Sequence, residues 1–150
     1  QADRVAIRAF PKRPCIRLNE EVIRDEEVDF FIKKLHHKYE ERIRDFCNDT
    51  RGACLSLSDY RKGVYNLYHA VFFILDEEVE ADFCIPGGNY LTYSYFGDYS
   101  QSVNRISYVL EYAETQGIRL SEDILELYLI DNHYTSKPEE FLTEIQIRIL

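Results

Sequence analysis

The sequence predicts an α+β fold, a strand–helix–strand–strand unit present twice, with a mostly antiparallel sheet and two main helices. Three observations carry this. Several short segments alternate apolar and polar residues at the two-residue period of a strand. Two longer segments repeat apolar residues every three or four positions, the period of an amphipathic helix. The segments also recur in one order, hairpin, helix, strand, strand, in halves of similar length, which reads as an internal duplication. The 150 residues suit one domain, with repeat halves at about 4–76 and 81–150. Two such units about a pseudo-two-fold leave a cleft where they meet, a favoured ligand site.

The elements follow in order. Residues 5–10 (VAIRAF) and 14–18 (PCIRL) read as short strands around the turn PKRP. Residues 26–46 read as a helix with an apolar stripe of Val28, Phe31, Ile32, Leu35, Tyr39, Ile43 and Phe46; the acids of RDEE suit its N-terminus. ACLSLS (53–58) alternates as a strand, and NLYHAVFFIL (66–75) is rich in β-formers. DEEVEAD is a polar connector. The second half opens with DFCIP and NYLTYSYF, split by the turn PGGN. A helix from about 100 to 116 carries Val103, Ile106, Leu110 and Ala113, with Ser100 or Ser102 as cap and Gly117 as stop. Strands 124–131 and 142–149 end the chain. In the last, Thr143, Ile145, Ile147 and Ile149 share a face opposite Glu144, Gln146 and Arg148.

Composition narrows the function. A net charge of −9 disfavours binding to nucleic acid phosphates. Arg4, Arg8, Lys12, Arg13 and Arg17 cluster near the start and read as a solvated strand face. No apolar run approaches the ~20 residues of a membrane span, and no signal peptide is visible. Met is absent throughout, which leads to the expectation of a processed chain or a piece of a longer one. Cys15, Cys47, Cys54 and Cys84 fit no zinc spacing and read as reduced thiols of a cytoplasmic protein. His36 and His37 point about 100° apart on a helix, and His69 and His133 are isolated, so no metal site is expected. There is no nucleophile elbow and no Ser/His/Asp arrangement. No catalytic residue and no cofactor are expected.

The segment LELYLIDNHY (125–134) holds the main candidate. As a strand it puts Leu125, Leu127 and Leu129 on one face, expected to cover a helix or the core. Ile124, Glu126, Tyr128 and Ile130 fall on the other. Three large apolar neighbours argue against open solvent for Glu126. A carboxylate in such surroundings demands a partner. One candidate is internal: Arg148, Gln146 or a tyrosine hydroxyl. The other is a positively charged ligand held between aromatic rings. Tyr93 and Tyr95, on one face of strand 89–96, are candidate walls, with ordinary cross-strand packing as the alternative.

The segments IPGGNYLTYSYFGDYSQSVNRISYVLEYAETQGI and DILELYLIDNHYTSKPEEFLTEIQIRIL resemble the GyrI-like ligand-binding domain. They are similar to the version at the C-terminus of MerR-type multidrug-responsive transcription regulators. IPGGNY opening a strand, a helix ending in Gly, ELYLID, and PEEFLTEIQIRI closing the chain carry the likeness, and AFPKRPCIRLNEE and GACLSLSD extend it weakly. The resemblance implies an effector-binding domain for lipophilic, cationic aromatic molecules, without enzymatic activity. Glu126 then matches the glutamate that meets the cation. Tyr128 lines the pocket, and Phe141 takes an aromatic position before the last strand. Phe31 is a further pocket candidate, with a core role as its alternative. Gly97 and Ser102 stand where some relatives carry aromatics, and Arg51 stands near another such place, from which it would neutralise Glu126. The resemblance further implies DNA contact only through a separate domain outside this chain, a homodimer in the full-length regulator, no membrane association and a cytoplasmic location. Two other functions on this architecture are a stand-alone hydrolase of reactive small molecules and a protein-binding, topoisomerase-inhibitor-like module.

Overall fold

Nine strands hydrogen-bond into one sheet, and every pairing among the described residues is antiparallel. The structure is a computed structural model that describes residues 3–18, 22–23, 28–38, 40, 47–76, 81, 83–131 and 134–150. The first half runs β1 (Ala6–Phe10), β2 (Arg13–Leu18), β3 (Val22–Ile23), α1 (Val28–Lys38), β4 (Cys47–Ser56), α2 (Leu57–Arg61) and β5 (Leu67–Leu75). The second runs β6 (Phe83–Ile85), β7 (Gly88–Phe96), α3 (Ser102–Gln116), β8 (Leu120–Ile130) and β9 (Leu142–Ile149).

The strand order β1-β7-β9-β8-β4-β5-β2-β6 is a palindrome. Exchanging β1 with β6, β2 with β7, β4 with β8 and β5 with β9 reverses it onto itself. The pseudo-two-fold therefore passes through the β4–β8 pair, where Ala53 faces Glu126. The expected hairpins do not form. β1 pairs with β7 and β2 with β5 and β6, so each half sends its first strand into the sheet of the other. A Pro-containing turn between two strands announces a reversal of the chain but not which neighbour each strand takes.

This exchange curls the sheet. β1 and β2 stand six places apart in the order, roughly 29 Å across a flat sheet. Yet the three residue steps from Phe10 to Arg13 reach only about 10 Å. The link from Ile85 to Gly88 imposes the same closure on β6 and β7. The two links cross at Gly87, where a Cβ would stand 3.0 Å from the Lys12 backbone nitrogen. Only glycine lets the backbones approach so closely without displacement.

The curl gives the sheet two faces. On the helix-covered face, Leu55, Val71, Phe73, Leu91, Ile124, Ile145 and Ile147 pack with Ile32 and Leu35 of α1 and with Ile106, Val109 and Ala113 of α3. Inside the curl, Phe10, Cys15, Phe72, Ile74, Ile85, Tyr90, Leu125 and Leu127 form a second, smaller cluster. The leucine face of β8 thus fills the inside of the curl, while both longer helices cover the Glu126 face. Arg13 corrects the reading of a solvated basic face, because it is buried inside the curl.

Several boundaries also move. β4 starts at Cys47, and Leu57 begins a short helix whose Ser56 cap accepts from the Asp59 backbone N–H. α1 occupies the N-terminal part of its expected range, with Ile32 and Leu35 buried and Phe31 half-buried. Tyr39, Ile43 and Phe46 of the expected stripe lie outside the described residues. Ser100 does not cap α3. Instead Asp98 accepts from the Ser100 backbone N–H in a 3-10 turn, Tyr99–Gln101, and Ser102 is buried as the first helical residue. Gly117 ends α3 at a φ of +69°, as its left-handed stop requires.

Candidate functional site

Glu126 lies at the centre of the helix-covered face. One row of cross-strand neighbours runs Tyr93, Ile145, Glu126, Ala53, Val71 across five strands. The next row carries Tyr95, Thr143 and Tyr128, and beyond them Arg51 beside Phe73. Glu126 is 0% exposed. Its Oε1 accepts hydrogen bonds from the Tyr68 hydroxyl at 2.6 Å and the Tyr128 hydroxyl at 3.1 Å. Tyrosine hydroxyls thus serve as internal partners of the carboxylate.

Tyr68 carries no sequence signal of this role, and the reason is local. Strict alternation along β5 puts Tyr68 on the side of Ala70, Phe72 and Ile74, which face the inside of the curl. Cys54 pairs with Ala70, but Leu55 pairs with Tyr68, so His69 is the extra residue of a β-bulge. The bulge turns Tyr68 to the helix-covered face, where it meets the carboxylate. His69 itself is held by α2, its Nε2 lying 2.8 Å from Asp59 Oδ2. The signal in the sequence was slight: His interrupts an otherwise apolar and aromatic run.

The aromatic wall continues from Tyr128. Its ring meets Tyr99 edge-on at 5.3 Å, and Tyr99 stacks on Phe141 at 5.3 Å and 19°. Glu126, Tyr128 and Phe141 are therefore joined through Tyr99, another residue not named from the sequence. Tyr93 and Tyr95 lie on the same sheet face under α3, both buried. The Tyr95 hydroxyl shares a 2.8 Å hydrogen bond with Ser102, and the Arg105 guanidinium lies 5.3 Å from its ring centre. Arg105 also donates to the Tyr93 hydroxyl and to Asp3, each at 2.6 Å. Burial pushes the Tyr93 hydroxyl pKa up, against the lowering influence of Arg105.

Two candidates stand apart. Phe31 packs against the core edge, with Phe30 edge-on at 5.3 Å and the Lys34 ammonium 5.4 Å from its ring centre. Arg51 is buried on the Glu126 face but pairs with Asp131, Nε to Oδ2 3.3 Å, rather than with Glu126. Among the described residues no group of three or more His, Cys, Asp or Glu is placed to hold a metal ion. No helix among them is long and apolar enough to cross a membrane.

Chemically, the arrangement is a carboxylate shut into an aromatic core and oriented by two phenols. Such a group favours positive charge, and rings around it add cation–π attraction. It also has the parts of a general base with acidic neighbours.

No curated protein matches the sequence. Among solved structures, the EcmrR chain of an EcmrR–DNA complex aligns at a TM-score of 0.73 and 17% identity, over 97% of this chain and 57% of that one. The present chain thus spans little more than half of the EcmrR chain in that complex. The isolated EcmrR C-terminal domain aligns at 0.70 and 15% identity, over 98% and 97% of the two chains. A hydrolase from Listeria innocua aligns at 0.68 and 12%, over 99% and 93%. SAV2435 bound to tetraphenylphosphonium aligns at 0.57 and 13%, over 98% and 94%. At these identities the likeness is one of fold. Residues 31–150 match the family described as the GyrI-like small molecule binding domain. With most of its length matched and its fold shared, the chain belongs to the GyrI-like family.

Proposed function

We propose that this domain is the effector-binding part of a cytoplasmic MerR-type transcription regulator, and that its effector is a lipophilic, cationic aromatic molecule. The observation that carries this reading is Glu126, wholly buried at the centre of the aromatic face and oriented by Tyr68 and Tyr128. Burying a carboxylate is costly, and a cation admitted beside it offsets that cost while its apolar body packs on the rings. The fold shared with the C-terminal domain of EcmrR supports the regulator context, and the fold shared with SAV2435 bound to tetraphenylphosphonium supports the ligand class. DNA contact and dimerisation would then belong to parts of the regulator outside this domain. Signalling needs the ligand to bind one state of that regulator more tightly than another.

The test compares tetraphenylphosphonium with neutral triphenylphosphine oxide by calorimetry. Glu126→Gln is expected to weaken the cation by about tenfold or more, the worth of a charged contact, and to leave the neutral compound nearly unchanged. Equal losses for both would remove the electrostatic role.

A second reading rests on the same carboxylate with its two phenols and on the fold shared with a Listeria innocua hydrolase. In it Glu126 activates water against a reactive small molecule. Turnover that disappears in Glu126→Gln would favour it over pure binding.

A further inference from the structure

The inside of the curl, on the sheet face away from Glu126, holds a cavity of about 360 Å³. Its floor is apolar, made by Phe72, Ile85, Tyr90 and Leu125 with the thiols of Cys15 and Cys54. Desolvation pushes the Cys15 thiol up to about 11 and the Cys54 thiol up to about 12, where the charge of Asp123 adds to it. Both thiols therefore stay neutral and act as small apolar groups. The volume lies within the range of small-molecule pockets.

Four charged residues line the same cavity, two of each sign: Arg17, Arg148, Glu122 and Asp123. Two are engaged elsewhere. Glu122 accepts hydrogen bonds from Ser56 and Ser58. Arg17 lies 5.9 Å from the Phe83 ring centre and has a partner of its own. The other two are held in place but not neutralised. Arg148 Nε donates to the Gly87 carbonyl at 3.0 Å, and a Cβ on Gly88 would stand only 3.1 Å from it. Arg148 Nη1 and Nη2 reach solvent and have no hydrogen bond or ion pair among the described residues. Asp123 is exposed, interacts with the Cys54 thiol, and forms no ion pair among the described residues.

An irregularity in the sheet lets these opposite charges share a cavity without closing on each other. β8 pairs Leu120 with Ile149 and then Ile124 with Ile147, so Ser121, Glu122 and Asp123 together span the single residue Arg148. Two separated opposite charges on one cavity are complementary to a ligand that is itself dipolar. The Nη1–Nη2 edge of Arg148 matches the two oxygens of a carboxylate. Asp123 matches an ammonium, and the floor takes an apolar side chain. A ligand with only one charge meets one attraction and one repulsion here.

We propose that this cavity is a second binding site, for a zwitterionic α-amino acid with an apolar side chain. Its carboxylate accepts two hydrogen bonds from Arg148 Nη1 and Nη2, its ammonium donates to Asp123, and its side chain packs against Phe72, Ile85, Tyr90 and Leu125. The site lies on the opposite sheet face from Glu126 and asks for both charges where Glu126 asks for one. The two sites take different ligands and need not exclude one another.

The experiment titrates L-phenylalanine into the 150-residue chain by calorimetry at neutral pH and low salt. Phenylpropionate, which lacks the ammonium, and phenethylamine, which lacks the carboxylate, are titrated beside it. Phenylalanine is expected to bind at least about tenfold more tightly than either analogue, the worth of one charged contact. Asp123→Asn, at an exposed position, should erase its advantage over phenylpropionate. Arg148→Gln should erase its advantage over phenethylamine. Saturating tetraphenylphosphonium should not displace phenylalanine, and Glu126→Gln should leave its binding unchanged, which separates this site from the one around Glu126. The proposal is overturned by any of four results: no phenylalanine binding at about 5 mM, an analogue that binds as tightly, binding undiminished in Asp123→Asn, or displacement by the phosphonium. Should Arg148→Gln fail to fold, Asp123→Asn and the two analogues still decide.

Discussion

At the scale of single residues, the site depends on groups whose identity is visible in the sequence but whose partners are not. Glu126 stands out because a carboxylate among Ile124, Tyr128 and Ile130 calls for an explanation. Its partner Tyr68 does not, because a single extra residue at His69 moves it to the other face. Arg13 was hidden for a different reason. In a run of basic residues each looks solvated, and only the curl shows that one of them is enclosed. Gly52 belongs to the same class. It is unremarkable in sequence, yet a Cβ there would stand 2.2 Å from the Glu126 carbonyl oxygen and 2.8 Å from the Phe72 ring. Backbone leaves no room to yield, so Gly52→Ala should destabilise the fold by about 1–3 kcal/mol, the usual cost of overpacking. Urea denaturation checks this. An unchanged midpoint would mean that the β4–β8 contact is looser than described.

At the scale of elements, the strands and helices were largely legible, since their periods of two and of three to four survive in the sequence. Short elements were not. Leu57 continues the alternation of Ala53 and Leu55, so periodicity alone extends the strand over the start of α2. What ends β4 is Ser56, together with a contact from far along the chain. Glu122 of β8 accepts from Ser56 Oγ, and from the Ser58 backbone N–H at 3.1 Å and Ser58 Oγ at 2.9 Å. Desolvation works to raise the Glu122 pKa, but these hydrogen bonds, with the charge of Arg61, outweigh it and hold the value below that of an ordinary glutamate. A carboxylate with a depressed folded pKa contributes stability that is present above its unfolded pKa. That contribution is lost as pH falls through the folded value. The stability advantage of the parent over Glu122→Gln should therefore be full near neutral pH and shrink as the pH falls through the folded value. Urea midpoints of both proteins across that range measure it. A difference independent of pH would deny Glu122 this role.

At the scale of the whole molecule, the duplication was legible and the exchange of first strands between halves was not. Local turn signals are the same whether a strand pairs with its successor or crosses to the other repeat. The crossing makes the halves interdependent. Residues 1–80 alone lack β6, and residues 81–150 alone lack β1, so each keeps an open sheet edge and half of the inner cluster. Neither piece is expected to unfold cooperatively by itself, and mixing them should restore the far-ultraviolet and near-ultraviolet circular dichroism of the intact chain. Two separately cooperative fragments that ignore each other would contradict this. The same crossing orders events during synthesis. Ala6 pairs with Thr92, 86 residues later. At translation rates of about 5–20 residues per second, β1 emerges roughly 4–17 s before the strand that will cover its edge. Through that interval VAIRAF is an unpaired apolar strand, open to the wrong neighbours. Arg8, at its centre, charges the waiting strand against such pairing before it becomes the partner of Glu144.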